Sequence, residues 1–187
     1  MENKNKNVWK AVGDEVLDWV KTLGISFLIV TVTVNFFIRT IRVDGSSMYP
    51  TLESDEFGLS NVLSVRLDQI ERFDIAVIYM EKENKYLVKR VIGLPGETVS
   101  YRSGILYVNG EEIRESFLDT DYCRNYNGVF MVDIEEITLG EIEYYCLGDN
   151  RPNSKDSRYY GPFQKKQIKC VGALILYPFD RFGLKSW

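Results

Sequence analysis

The sequence contains no histidine. That absence excludes a Ser-His-Asp or Cys-His hydrolase and every zinc site built on imidazole. Cysteine is scarce as well. Cys123, Cys146 and Cys170 form an odd set without CxxC spacing, which supplies neither a metal knuckle nor a disulfide framework. Cys146 and Cys170 each fall in an apolar, β-like run where core packing accounts for them, although one pair could oxidise if the domain faces outside the cell. No concentrated basic face is present. The net charge is −4, and Lys165, Lys166 and Lys169 are the densest late basic cluster, which excludes nucleic acid as the main partner. Beyond the first forty residues no helix of any length is predicted, and there is no internal repeat or low-complexity tract.

What is there suits one folded domain. A chain of 187 residues with 45% hydrophobic content can bury a real core, and its 12 tyrosines and 10 phenylalanines lean it toward β structure. The single long apolar run, TLGISFLIVTVTVNFFI at 22–38, carries no charge and lies between Lys21 and Arg39. As a helix it reaches about 26 Å, near the lower limit for crossing a bilayer. Ahead of it Trp9, Val12, Val16, Trp19 and Val20 recur at helical spacing, so residues 1–21 read as an interfacial amphipathic segment continuous with the span. A core helix would be shorter and more amphipathic. A cleaved leader would need an A-x-A-like site, and RTIRVDG has none. The run is therefore expected to be an uncleaved anchor. Lys4, Lys6, Lys10 and Lys21 precede it, against Arg39 and Arg42 after it. The positive-inside bias then leaves the amino terminus in the cytoplasm and residues 39–187 outside.

After the anchor, short β segments alternate with turns. Strands are predicted over 74–80, 86–92, 143–148 and 169–179, with hairpin turns at Ser103-Gly104 and Asn109-Gly110. Residues 111–141 are acidic and look like a variable excursion from the main sheet. The segment GDNRPNSKDSRYYG at 148–161 has the composition of an Asx-rich surface loop.

Without imidazole, a serine nucleophile needs another base, and a desolvated lysine amine can serve. VDGSSMYPTL at 43–52 places two serines in a glycine turn just beyond the apolar run. In the strand at 86–92, alternation puts Leu87, Lys89 and Val91 on one face, so Lys89 sits between apolar neighbours. Burial disfavours its ammonium form. Arg90 points the other way and stays protonated. An isolated strand lysine more often snorkels to water or pairs with a carboxylate, and only its company decides otherwise.

That company consists of VDGSSMYPTL (43–52), RFDIAVIY (72–79), YLVKRVIGLPGE (86–97) and GDNRPNSKDSRYYG (148–161). Together, in this order, they resemble the bacterial type I signal peptidases, in the compact single-anchor branch. The resemblance implies a transmembrane helix followed by an extracytoplasmic, antiparallel β catalytic domain, mainly β in class. It implies a serine endopeptidase that removes signal peptides from exported preproteins after small residues at −3 and −1. Ser47 matches the nucleophile and Lys89 the general base. Ser154 matches a hydroxyl that orients the lysine amine, and Asp156 with Arg158 a supporting polar pair. Ser46 is then a turn residue.

Where some members carry an oxyanion serine this chain has Gly45, so the oxyanion donors are expected to be backbone groups of Ser47 and Gly45. Pro152 stands where some relatives have an acidic residue. Asp74 and Arg72 read as structural, and Asp149, Arg151 and Asn153 as holding their loop. Val43, Met48, Leu52 and Leu87 are candidates for the substrate pocket, although each in isolation is ordinary core. No metal and no cofactor is implied. The expected partners are signal-peptide-bearing preproteins and the lipid bilayer, with the protein a monomer in the cell membrane. Two rivals remain: a repressor-type Ser-Lys autoprotease, opposed by the apolar run, and a catalytically silent membrane-tethered β domain that acts by binding.

Overall fold

The structure, a computed structural model, describes residues 2–185. It divides into two compact units, Met1–Phe37 and Ile38–Trp187. The first is a single helix, α1 (Glu2–Phe36). Within it Glu15–Val34 is long and apolar enough to cross a membrane, with a mean hydropathy of 1.6. Leu23, Phe27, Leu28 and Ile29 are exposed. Of the face read at Trp9, Val12, Val16, Trp19 and Val20, the first two side chains lie outside the described residues and the other three are exposed. The expected span 22–38 is cut short at its end. The helix stops at Phe36, and Ile38 opens a strand in register with Asn61.

The second unit is built from β1 (Ile38–Arg42), β2 (Phe57–Asn61), a one-turn helix α2 (Leu63–Arg66), β3 (Ile75–Met80) and β4 (Lys85–Gly93). Then follow β5 (Thr98–Arg102), β6 (Ile105–Val108), β7 (Glu111–Ile113), the one-turn helix α3 (Asp121–Arg124) and β8 (Ile134–Thr138). The chain continues through β9 (Glu143–Leu147), the one-turn helix α4 (Ser157–Tyr160), β10 (Phe163–Gln164), β11 (Ile168–Tyr177) and β12 (Gly183–Lys185). Residues 186 and 187, the expected end of the domain, lie outside the described residues.

All strand pairs are antiparallel. One sheet runs β1-β2-β11-β3-β4-β9-β10, with β12 added on β11, and a smaller one runs β7-β6-β5-β8. The strands predicted from alternation appear within a residue or two of their expected ends. Both hairpin turns have positive φ at each central position, Ser103-Gly104 and Asn109-Gly110, which is the geometry those pairs favour.

Two departures have physical causes. β2 carries little apolar signal because the residues it buries are Gly58 and Ser60. The Ser60 hydroxyl answers by donating to the carbonyls of Val171 (3.0 Å) and Gly172 (2.7 Å). The stretch 111–141 is less irregular than its composition suggests. It holds β7, α3 and β8, and β8 closes the smaller sheet against β5. Its half-buried residues, Ile134 and Ile137, are three apart rather than two, because the register shifts between Val99 and Tyr101 on β5.

Apolar residues gather in three clusters. One, with Ile41, Val43, Met48, Leu52, Ile75 and Val77, lies under the turn that carries Ser47. A second, around Ile78, Val91 and Cys146, lies under β4. The third joins the two sheets through Ile92, Val99, Tyr101 and Tyr145. Strand β4 is buried from Lys89 to Gly93 because it has cover on both faces.

Candidate active site

The segment after β1 is tied down before it reaches Ser47. Val43 N–H donates to the Glu56 carbonyl (2.8 Å) and Asp55 N–H donates back to Val43 (2.9 Å). Met48 and Leu52, both almost wholly buried, plug the turn into the core. Gly45 adopts φ +86°, where a side chain would be strained. Ser47 itself is half-buried, next to the exposed Ser46.

β4 delivers the other side chain. Lys89, in register with Ala76 of β3, is 2% exposed. Its Nζ donates to Ser47 Oγ at 2.6 Å and to the Val88 carbonyl at 2.9 Å. Burial lowers its pKa from 10.5 to about 8, against the opposing pull of Asp156 and Asp149. Both carboxylates are otherwise occupied. Asp149 is gripped by Arg90 through Nε (2.9 Å) and Nη2 (2.6 Å). Both side chains of that pair are fully buried, the Thr51 hydroxyl also donates to Asp149 (2.6 Å), and the Phe117 ring lies 4.0 Å from the guanidinium. For Asp156, burial pushes the carboxyl up, but Arg158 and the Gly148 N–H hold it below its usual value. Arg158 donates from Nε (2.9 Å) and Nη2 (2.7 Å), and Gly148 N–H donates at 3.0 Å.

The other predicted loop holders behave as read. Arg151 pairs with Glu115 and donates to the Tyr101 hydroxyl (3.1 Å). Arg72 makes a fork to Glu97 (2.9 and 2.6 Å), and Asp74 accepts from the Glu71 N–H (2.9 Å). The three cysteines are free thiols, with Cys146 and Cys170 buried in the core.

Three expectations need correction. The Ser154 hydroxyl is buried and makes no hydrogen bond to the Lys89 amine; it acts instead on Asp156, helping to hold that carboxyl below its usual value. The Lys89 amine takes Ser47 and Val88 instead, and Ser154 packs against Gly148. There a Cβ would come within 2.3 Å of Ser154 Oγ and 2.4 Å of the Ser47 carbonyl oxygen. The Gly45 N–H is engaged by Ser54 Oγ at 3.3 Å, which removes it as an open oxyanion donor. The Ser47 N–H has no protein acceptor among the described residues. Leu52 is the third correction, since it is fully buried beside Ile75 and Ile175 and is not part of the wall of the cleft at Ser47 and Lys89.

Beside the Ser47–Lys89 contact opens a cleft of about 330 Å³ whose wall includes Val43, Met48, Val77, Leu87 and Val88. Val43, Met48 and Leu87 were read from the sequence. Val77 was missed, because in a buried strand every apolar residue looks alike. Asn150 was missed too, hidden in what reads as a solvated loop. Its N–H donates to the Ser47 carbonyl (3.1 Å) and its side-chain amide to the Ser46 carbonyl (3.0 Å).

Comparison with known proteins bears on this geometry. The family model described as signal peptidase, peptidase S26, matches residues 16–177. Signal peptidase I S of Bacillus subtilis (strain 168) is 35% identical over 181 residues, covering 95% of this chain and 96% of that one. Signal peptidase IB of Staphylococcus aureus (strain COL) is 32% identical over 178 residues, covering 90% and 93%. Among solved structures, a signal peptidase I from Enterococcus faecalis V583 matches with a TM-score of 0.51 at 37% identity, covering 55% of this chain and 95% of that chain.

Proposed function

The chain belongs to the signal peptidase family S26, and on that premise we propose that it cuts signal peptides from preproteins with Ser47 as nucleophile and Lys89 as general base. The observation that carries this reading is the 2.6 Å contact between Lys89 Nζ and Ser47 Oγ, made by an amine buried out of water. With a pKa of about 8, roughly a tenth of the Lys89 amines are neutral at pH 7 and about half at pH 8. The neutral amine takes the Ser47 proton as Oγ attacks the carbonyl carbon of the scissile bond. The Ser47 N–H takes the developing oxyanion, a role supported by its having no protein acceptor among the described residues. Lys89 then returns the proton to the leaving amine, and the peptide's carbonyl remains on Ser47 as an ester. The same amine draws a proton from water to hydrolyse that ester.

The signal peptide lies in extended form along the cleft, with small side chains at −1 and −3 against Val43, Met48, Val77 and Leu87. Asp156 and Arg158 hold the loop beside the base. Ser154 sits beside Asp156 and helps to hold its carboxyl below the usual value, next to the base.

The apolar part of α1 anchors the protein in the cell membrane as a single pass, with the amino terminus in the cytoplasm, the β domain outside and the protein a monomer. Residues 1–21 form the interfacial segment and 39–187 the catalytic domain. Ser47 follows Phe36, where the helix ends, by a stretch that even fully extended reaches no more than about 40 Å. The silent-domain alternative is disfavoured by the buried, hydrogen-bonded dyad, which a pure binding module has no use for.

Incubating the detergent-solubilised protein with a preprotein, followed by mass determination of the product's amino terminus, tests the reading. A single cut after small residues at −3 and −1, absent with Ser47→Ala, is expected. An uncut preprotein, or cleavage that persists in the alanine variant, overturns it.

A further inference from the structure

Asn150 holds the segment around Ser47 at two successive carbonyls, those of Ser46 and Ser47, and is itself 3% exposed. An asparagine can do this in only one of its two amide orientations. The flipped amide would set Oδ1 against the Ser46 carbonyl, two acceptors facing each other. What selects the working orientation is the partner on the other side. The Tyr122 O–H donates to Asn150 Oδ1 at 3.0 Å, while the Asn153 amide is a distant second donor at 3.5 Å. Tyr122 has a second hold on the same region. Its ring meets that of Tyr49 edge-on, with centroids 4.8 Å apart at 89°. Tyr122 is in turn fixed by its own helix. Thr120 Oγ1 caps α3 by accepting from Cys123 N–H at 3.2 Å, and Tyr126 and Phe130 pack against the Tyr122 ring.

We infer that Tyr122 is a positioning residue for Ser47. It acts through Asn150 on one side of the nucleophile and Tyr49 on the other, and it keeps the Ser46–Ser47 peptide where Oγ meets the Lys89 amine. The inference rests on Ser47 being the nucleophile. Tyr122 touches neither Ser47 nor Lys89, so its influence is geometric. A displacement of about 1 Å can slow such a reaction on the order of 10²-fold, and the loss of one hydrogen bond in a held network gives a smaller effect. A residue that sets position without changing the base's charge should alter the rate constant and leave the pH midpoint alone.

The experiment uses the full-length protein in detergent with preprotein varied up to saturation. It compares Tyr122→Phe, Asn150→Ala and the double variant in single-turnover acylation, where the first-order rate constant does not depend on the fraction of folded enzyme. Ser47→Ala is run alongside. Tyr122→Phe keeps the ring and removes the hydroxyl. It is expected to slow acylation about tenfold, with KM within about twofold and the pH midpoint unmoved. Asn150→Ala should slow it at least as much, and the double variant no further than Asn150→Ala alone, because both act through one link. A Tyr122→Phe rate within about twofold of wild type overturns the inference, as does a double variant slowed by the product of the single effects, or a shifted midpoint. If Asn150→Ala fails to fold, the Tyr122→Phe result decides alone. Cleavage by Ser47→Ala at the wild-type rate is a different failure, that of the nucleophile assignment itself.

Discussion

Lys89 Nζ lies 2.6 Å from Ser47 Oγ although β2, β11 and β3 separate β4, which carries Lys89, from β1, the strand that leads into the Ser47 turn. A flat sheet would leave β1 and β4 several strand spacings apart, close to 20 Å at about 4.8 Å per strand. The sheet therefore curls, and the turn after β1 comes back over β4. Residues of both strands share one cleft as a result.

Removing either end of this contact should end catalysis. Ser47→Ala and Lys89→Ala are expected to lose preprotein cleavage while keeping the wild-type circular dichroism spectrum. Lys89→Arg should fail equally, because a guanidinium does not give up its proton near neutral pH. Product mass spectra at long incubation provide the check, and normal cleavage by any of the three variants would reject the dyad.

The pH dependence follows from the lowered pKa of Lys89. The proposed base works as a neutral amine, so the acylation rate should rise with pH through about 8 and level off above it. A rate that stays flat from pH 6 to 9 in single-turnover measurements would show that no such amine titrates.

The same burial predicts an effect on stability with a definite sign. Below about pH 8 the lysine is charged in both folded and unfolded chains, and the folded protein bears the full penalty of holding it dry. Between about 8 and 10.5 the unfolded chain binds a proton that the folded one has released, so stability rises with pH; above that range both forms are neutral and the penalty is gone. Lys89→Met should therefore be more stable than wild type at pH 7, by up to about 3 kcal/mol. The advantage should fade between pH 8 and 10.5. Thermal midpoints of the two proteins across this range are the measurement, and a variant less stable at pH 7 would contradict the prediction.

Arg158 offsets the charge of Asp156, which otherwise raises the pKa of Lys89. Arg158→Met should leave that carboxylate less compensated and move the activity midpoint to higher pH. Activity at pH 7 then falls and is recovered in part near pH 9. A midpoint that stays in place while the rate drops at every pH would assign Arg158 to packing alone.

Gly148 leaves room for two groups at once, the Ser154 hydroxyl and the Ser47 carbonyl. In Gly148→Ala the added methyl would press on the Ser47 carbonyl, which is backbone and cannot swing away. Acylation is expected to slow on the order of 10²-fold. Gly148 does not adopt a positive φ, so the methyl's effect there is steric; Gly96→Ala, at φ +77° where a methyl meets nothing within 4 Å, provides a comparison remote from Ser47. Equal slowing by both would remove the steric explanation.

Several elements of the fold were legible along the chain because their causes are local. The apolar run reads as a helix from hydropathy, the hairpins from Ser103-Gly104 and Asn109-Gly110, and β3 and β4 from their short apolar runs between turns. β2 and β8 escaped for reasons visible only in three dimensions. One buries Gly58 and Ser60, whose hydroxyl is satisfied from β11, and the other spaces its inward residues by three across a register shift.

The same division runs through the site. The absence of histidine and the pattern of four motifs determined by themselves that a serine and a lysine were the pair to examine. That the Lys89 amine is dry, and that it meets Ser47 rather than Ser154, was decided by the tertiary structure, as was the pinning of the Ser46 and Ser47 carbonyls by Asn150. Hydration and distance depend on which distant segments fold over a residue. The chain neighbours of Lys89, Leu87 and Val91, hint at a dry face, but they do not say what covers it or which hydroxyl the amine meets.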